Sequence, residues 1–140
     1  MATGSNTTGE DCALISDLIA RIALYSDTGS VDDYAGLFTA DAIWELRDTP
    51  KIEGIDAIIA ASKERRAQKV TGPGSDTRHV VLSSVIDRKD NKAQAVSIFQ
   101  FYTGFSQSPK LHAMGIYKDR FQYREGQWFL SHRLIDFNMV

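Results

Sequence analysis

The sequence predicts an α+β domain in which three N-terminal helices pack on one face of a curved antiparallel sheet. Apolar residues recur at helical spacing before residue 70, interrupted by one strand-like segment. From residue 77 onward the chain consists of long strand-like runs joined by short polar turns. The length of 140 residues suits one core, and a composition of 43% hydrophobic and 24% charged residues is typical of a globular chain.

The first helix has the clearest pattern in the chain. Thr8 is its predicted N-cap, Glu10 and Asp11 occupy the first turn, where carboxylates are favoured, and Gly29 is the predicted stop. One face carries the apolar residues Leu14, Ile15, Leu18, Ile19, Ile22 and Tyr25. This spacing predicts a helix that buries one side against the sheet.

Two further helices and one strand precede the main sheet. A second helix is predicted over roughly Val31–Thr39, with Tyr34 and Phe38 on its buried side. A strand follows at Asp41–Leu46, and after a turn the third helix runs from about Ile55 to Lys69. Four strands complete the chain as an antiparallel meander, at Thr77–Asp87, Ala93–Phe105, Leu111–Arg124 and Gln127–Met139.

Composition excludes several classes of function. The formal net charge is −2 with both signs interspersed, so we expect no nucleic-acid surface, which needs a concentrated basic stripe. Cys12 is the single cysteine, which excludes an internal disulfide and a thiolate zinc site. Apolar runs are too short for a bilayer, so we expect no membrane partner and a cytoplasmic location. Residues 1–9 are predicted to form a flexible arm before a single domain over residues 10–140.

Several short segments stand out along the chain, namely Tyr25-Ser26-Asp27, Leu37–Trp44, Ile52–Ile58, Thr77-Arg78-His79, Tyr117–Phe121 and Gly126-Gln127-Trp128. In this order and spacing they resemble the SnoaL-like group of the nuclear-transport-factor-2-like superfamily across nearly the whole chain. The resemblance implies a cone-like curved antiparallel sheet with the three N-terminal helices on its concave face. Within the superfamily it is to the branch holding scytalone dehydratase and hexachlorocyclohexane dehydrochlorinase, which use an Asp–His dyad.

The positions that match this dyad are Asp27, at the end of the first helix, and His79, at the start of a strand. The resemblance implies that His79 is a general base and that Asp27 orients its ring and stabilises the imidazolium. Such a dyad needs no metal and no organic cofactor, and we expect neither. On residue pattern alone, a single strand histidine such as His79 is usually structural or exposed, and Asp27 is compatible with a residue making local turn hydrogen bonds.

Arg133 matches an arginine of the dehydrochlorinase that follows the tryptophan of the last strand. Its implied role is to hold a substrate anion or a developing oxyanion, and the alternative is a salt bridge to Asp119. Strand alternation predicts that His132 faces the opposite way. It also predicts that Arg133 shares its side with Phe129, Ser131, Ile135 and Phe137.

Tyr25, Trp44 and Tyr117 are candidate substrate-contacting aromatics, with plain core packing as the alternative for each. Two positions depart from the family pattern. Ile22 stands where the dehydrochlorinase has a lysine, and Ser26 where the dehydratase has a tyrosine. His112 lies near the position of the dehydratase's second histidine, but the sequence does not fix its register.

The sequence therefore predicts a cofactor-independent lyase or isomerase, dehydratase-like, acting on a small apolar and cyclic substrate. The alternative is a non-catalytic module that binds a small hydrophobic molecule or assembles as a homo-oligomer, a dimer or trimer, through its sheet. A third reading is a subunit that supports a larger oxygenase, since such subunits share this fold.

Overall fold

The computed structural model describes residues 6–137, which fold into three helices packed on a curved six-stranded sheet. The helices are α1 (Gly9–Thr28), α2 (Val31–Ala35) and α3 (Ile55–Ala67). The strands are β1 (Phe38–Leu46), β2 (Ile52–Glu53), β3 (Arg78–Lys89), β4 (Lys92–Thr103), β5 (Lys110–Arg124) and β6 (Gln127–Asp136). The predicted α+β class is confirmed.

The ends of α1 follow from its terminal residues. The Thr8 hydroxyl accepts a hydrogen bond from the backbone N–H of Asp11 at 3.1 Å. The Asp11 carboxylate in turn accepts from the Thr8 backbone N–H at 2.9 Å, which closes a capping box. At the other end Gly29 is required for space, because a Cβ there would lie 2.8 Å from the Tyr25 Cα. Residues 1–5 of the predicted arm lie outside the described residues, and Gly9 is the first residue of α1.

The strands lie in the order β2-β1-β6-β5-β4-β3. Strands β3 to β6 form the predicted antiparallel meander. Strand β1 pairs with β6 in parallel, which the long stretch of chain between the two strands allows. The sheet is therefore antiparallel throughout except at this one pairing.

Two predicted boundaries are wrong near the start of the sheet. The second helix ends at Ala35 rather than Thr39, and β1 begins at Phe38 rather than Asp41. Phe38 pairs with Leu130 of β6, so a long-range strand partner overrides the local helical pattern. At the other end of the chain β6 ends at Asp136, and Met139 of the predicted last strand lies outside the described residues.

A bulge in β6 changes which side chains face the helices. Leu130 and His132 pair with consecutive residues of β5, so Ser131 between them has no partner. The extra residue shifts the two-residue alternation. Phe129 and Ser131 therefore do not share the side of Arg133, which corrects the uniform alternation predicted from the sequence.

The core lies between the helices and the sheet. Its most deeply buried side chains are Ile15, Ile19, Ile22, Tyr34, Ile58, Phe121 and Leu130. Across residues 6–137, no helix has the length and apolar character needed to cross a membrane. The helices pack against the sheet, and a cavity lies between helices and sheet.

Candidate active site

Asp27 and His79 meet where the end of α1 crosses the start of β3. The Asp27 Oδ1 lies 2.7 Å from the Nδ1 of His79, and its Oδ2 accepts the His79 backbone N–H at 2.7 Å. Asp27 is 2% exposed, whereas the His79 side chain is 19% exposed. Both oxygens of one buried carboxylate are thus engaged by a single residue, through its backbone and through its ring.

This arrangement selects one tautomer of His79. An ionised carboxylate only accepts hydrogen bonds, so the neutral ring carries its proton on Nδ1 and its lone pair on Nε2. The ring packs against Phe101 with centroids 4.5 Å apart, and His79 lines a cavity between the helices and the sheet. Nε2 is therefore the ring nitrogen that remains to accept a proton from a molecule in that cavity.

Arg66 holds the last turn of α1, which carries Asp27. Its guanidinium reaches across from α3 and donates to the backbone carbonyls of Gly29 at 2.8 Å, Tyr25 at 2.9 Å and Ser26 at 3.3 Å. These are carbonyls at the end of a helix, where intrahelical donors run out. A side chain of α3 thereby fixes the end of α1 and the position of its carboxylate.

The cavity has a volume of about 320 Å³ and is lined by residues of the helices and of the sheet. Its apolar wall is formed by Ile22, Leu46, Val70, Phe99, Phe101, Ile135 and Phe137. Its polar wall is formed by Ser26, Tyr34, Arg65, Thr71, His79, His112 and Arg133. Asp27 is behind His79 and does not line the cavity, as expected of a carboxylate that orients a base.

Arg133 forms a buried pair with Asp119 of the neighbouring strand. Its Nε and Nη2 donate to the two carboxylate oxygens, each at 2.8 Å, and the side chains are 3% and 0% exposed. Burial disfavours the charged guanidinium, but the Asp119 charge and hydrogen bonds outweigh it and raise the pKa of Arg133 above its ordinary value. Arg133 also lines the cavity, so the salt bridge and the cavity-facing position predicted as alternatives are present together.

Tyr117 and Trp44 both line the cavity, next to Arg133. The Arg133 Cζ lies 3.8 Å from the Tyr117 ring centroid and 5.4 Å from that of Trp44. On its other side Tyr117 stacks on Phe99, with centroids 4.1 Å apart and planes 3° from parallel. Burial raises the pKa of Tyr117 above the ordinary value of a phenol, so its hydroxyl is protonated near neutral pH.

Tyr25 does not line the cavity, which departs from its predicted role. Its hydroxyl accepts from Arg21 Nη1 at 2.9 Å on the exposed side of α1. Ile22 and Ser26, four residues apart, face the cavity instead. Tyr25 is rotated by about 100° from Ser26 around the helix axis, and this rotation places its ring elsewhere.

The structure adds Tyr34 to the candidate site and fixes the position of His112. Tyr34 was predicted to be buried, and it is 1% exposed, but it also lines the cavity, and its hydroxyl has no hydrogen-bond partner among the described residues. His112 is the extra residue of a bulge in β5, and its ring packs edge-on against Phe101 with centroids 6.0 Å apart. A tyrosine rather than phenylalanine at a fully buried position was the available sequence signal for Tyr34.

No cluster of three or more histidine, cysteine, aspartate or glutamate side chains in residues 6–137 is placed to hold a metal ion. Two pairs of titratable groups stand at the site instead, Asp27 with His79 and Asp119 with Arg133. The arrangement offers a proton acceptor, a protonated phenol and a guanidinium around an apolar space.

The model of a family described as a SnoaL-like domain matches residues 7–134. No curated protein sequence gives a significant match. A protein of unknown function from Mycobacterium tuberculosis has a similar structure, with a TM-score of 0.78 and 25% identity over 90% of this chain and 70% of that one.

Two proteins from Novosphingobium aromaticivorans are similar in structure at lower identity. One, provisionally assigned as a scytalone dehydratase, has a TM-score of 0.74 and 18% identity over 90% of this chain and 83% of that one. The other, provisionally assigned as an aromatic ring hydroxylase, has a TM-score of 0.79 and 19% identity over 96% of this chain and 94% of that one. At these identities the likeness is one of fold, and the two assignments name different reactions.

Proposed function

Since this chain belongs to the SnoaL-like domain family, we propose that it is a cofactor-independent lyase or isomerase, dehydratase-like, that acts on a small apolar, cyclic substrate. The observation that carries the proposal is the 2.7 Å contact between Asp27 and the Nδ1 of His79, with the ring at the wall of an apolar cavity. A base held in one tautomer and partly shielded from water is suited to proton abstraction from carbon.

In this proposal His79 Nε2 takes a proton from a carbon next to a carbonyl group. The C–H bond breaks, its electron pair passes to the carbonyl oxygen as an enolate, and the ring becomes an imidazolium stabilised by Asp27. In a dehydration the enolate electrons then form a carbon–carbon double bond and expel the β-hydroxyl group, which takes the proton from the imidazolium and leaves as water, so His79 returns to its neutral state. In an isomerisation the imidazolium returns the proton to another carbon.

Tyr117 and Arg133 are the proposed stabilisers of the enolate. The Tyr117 hydroxyl is protonated near neutral pH and can donate to an oxyanion. Asp119 occupies the Nε and Nη2 of Arg133, so the guanidinium acts chiefly as a fixed positive charge beside the Tyr117 ring. Trp44 contributes apolar surface on the other side of Arg133.

The experiment that tests this proposal is hydrogen–deuterium exchange at the α-carbon of 2-tetralone in D₂O, followed by proton NMR. We expect the wild-type protein to accelerate exchange, and His79→Ala and Asp27→Asn to lower the rate by about two to four orders of magnitude. Asparagine has one acceptor oxygen, whereas His79 presents two donors to this side chain, so Asp27→Asn leaves one donor unpaired or forces the other tautomer.

The matched control is His132→Ala, which removes a histidine of the opposite sheet face that is paired with Glu45. This variant should exchange 2-tetralone at the wild-type rate, and thermal unfolding should confirm that every variant is folded. Exchange that is undiminished in both His79→Ala and Asp27→Asn would contradict the proposal.

The second candidate function is a binding or assembly module that forms a homo-oligomer through its sheet. The observation in its favour is a directly paired Val85 and Val96 on β3 and β4, with 58% and 47% of their surface exposed. Paired, exposed valines on a sheet face are typical of a contact between subunits. This function is compatible with catalysis in the cavity, whose lining residues do not include either valine.

A further inference from the structure

The charged side chains that line the cavity are all cationic. Arg65 and Arg133 line it together with two histidines, and no carboxylate is among its lining residues. The nearby carboxylates of Asp27 and Asp119 lie behind the wall, each already bound to a histidine or an arginine. A molecule in the cavity therefore meets positive charge without a matching negative one.

Arg65 is the cation that lacks a partner. The neighbouring Arg66 turns to the end of α1, and Arg133 is paired with Asp119, but Arg65 forms no ion pair with any residue of the described chain. A guanidinium beside an apolar cavity is stabilised most by an anion that is itself removed from water, because the hydrogen bond between the two charges is then strongest.

Tyr34 is a second polar residue of the same cavity wall. It is 1% exposed and lines the cavity from α2, and its hydroxyl is buried with no hydrogen-bond partner among residues 6–137. Burial raises the pKa of Tyr34, while the positive charges of Arg65, Arg133 and Arg66 act on the same group in the opposite direction. Leaving a buried hydroxyl without a partner is unfavourable, and an anionic oxygen would satisfy it.

We propose that the ligand of this cavity is an apolar ring compound bearing a carboxylate, and that Arg65 and Tyr34 bind the carboxylate while the apolar wall holds the ring. The inference rests on the proposed role of the cavity as the substrate site, and it narrows the substrate class to organic acids. The unpaired guanidinium and the unpartnered hydroxyl, in one cavity without a lining carboxylate, are its basis.

The test compares the binding of 2-naphthoate and 2-naphthamide, which have the same shape and differ in charge. Titration calorimetry should give the wild-type protein about tenfold higher affinity for the acid, as expected of a charge-assisted hydrogen bond. Arg65→Gln should remove this preference by weakening 2-naphthoate binding about tenfold and leaving 2-naphthamide unchanged. Tyr34→Phe should weaken 2-naphthoate binding several-fold.

The matched control is Lys63→Gln, which removes an exposed positive charge from the same helix and should change neither affinity. Equal affinities of the wild-type protein for both compounds, or no binding of 2-naphthoate, would overturn the inference. So would an equal weakening of both compounds by Arg65→Gln.

The same titration in His79→Ala separates this inference from the proposed function. An acid preference that persists without His79 places the anion at Arg65 and Tyr34, whatever the outcome of the 2-tetralone exchange. A preference that disappears in His79→Ala but survives in Arg65→Gln would place the anion at the imidazole, and the inference would be wrong.

Discussion

Replacing Arg133 by methionine removes the cation from a pair whose side chains are 3% and 0% exposed. Methionine approximates the volume of the arginine stem, so the principal loss is electrostatic. Asp119 would remain buried without the two 2.8 Å hydrogen bonds that now satisfy its carboxylate. Breaking a buried pair in this way costs about 3–5 kcal/mol. For a chain of this length that corresponds to a fall in Tm on the order of 10 °C.

Equilibrium unfolding in urea, followed by tryptophan fluorescence, measures this loss. The matched control is Arg21→Met, which breaks the exposed pair with Asp17, whose side chains are 50% and 59% exposed. We expect that control to cost less than about 1 kcal/mol. The double variant Arg133→Met with Asp119→Leu should recover most of the lost stability, because it leaves no unpaired buried charge. A loss in Arg133→Met no larger than in Arg21→Met would refute the reasoning.

Gly29→Ala should lower the free energy of unfolding by about 1–3 kcal/mol, because its Cβ would lie 2.8 Å from the Tyr25 backbone. Gly9→Ala, where a Cβ meets nothing within 4 Å, is the control, and equal urea midpoints for the two variants would refute the steric argument. For assembly through the sheet, sedimentation should show a wild-type oligomer and a Val96→Lys monomer, since lysine places a charge in the contact. A wild-type monomer at all accessible concentrations would contradict that assembly.

The parts of the fold that the sequence predicts correctly are those governed by local patterns. Helix α1 has a capping box at Thr8 and a continuous apolar face, both of which are readable over a few residues. The start of β1 and the bulge at Ser131 are set by pairing with strands far away in sequence. Apolar residues that repeat every 3.6 or every 2 positions within one segment carry no information about a distant partner strand, so these features were not predicted.

In the candidate site, too, local sequence patterns do not reveal contacts between residues that are distant in sequence. The contact between Asp27 and His79 joins residues 52 positions apart, and the sequence identified it through family resemblance rather than periodicity. Tyr34 and Arg65 have no such guide, because each looks like an ordinary core or surface residue until the cavity is seen between them. Tyr25 was misplaced because sequence proximity to Asp27 does not determine which way a helical side chain points.

The hydrogen bonds from Arg66 to the end of α1 have an electrostatic consequence for Asp27. Aligned peptide dipoles give the C-terminal end of a helix a partial negative charge, which repels a carboxylate in the last turn. The guanidinium that donates to Tyr25, Ser26 and Gly29 places a positive charge against that end. Arg66 therefore offsets this repulsion at Asp27, and its substitution would disturb the position of the Asp27 carboxylate without touching the cavity wall, which Arg66 does not line.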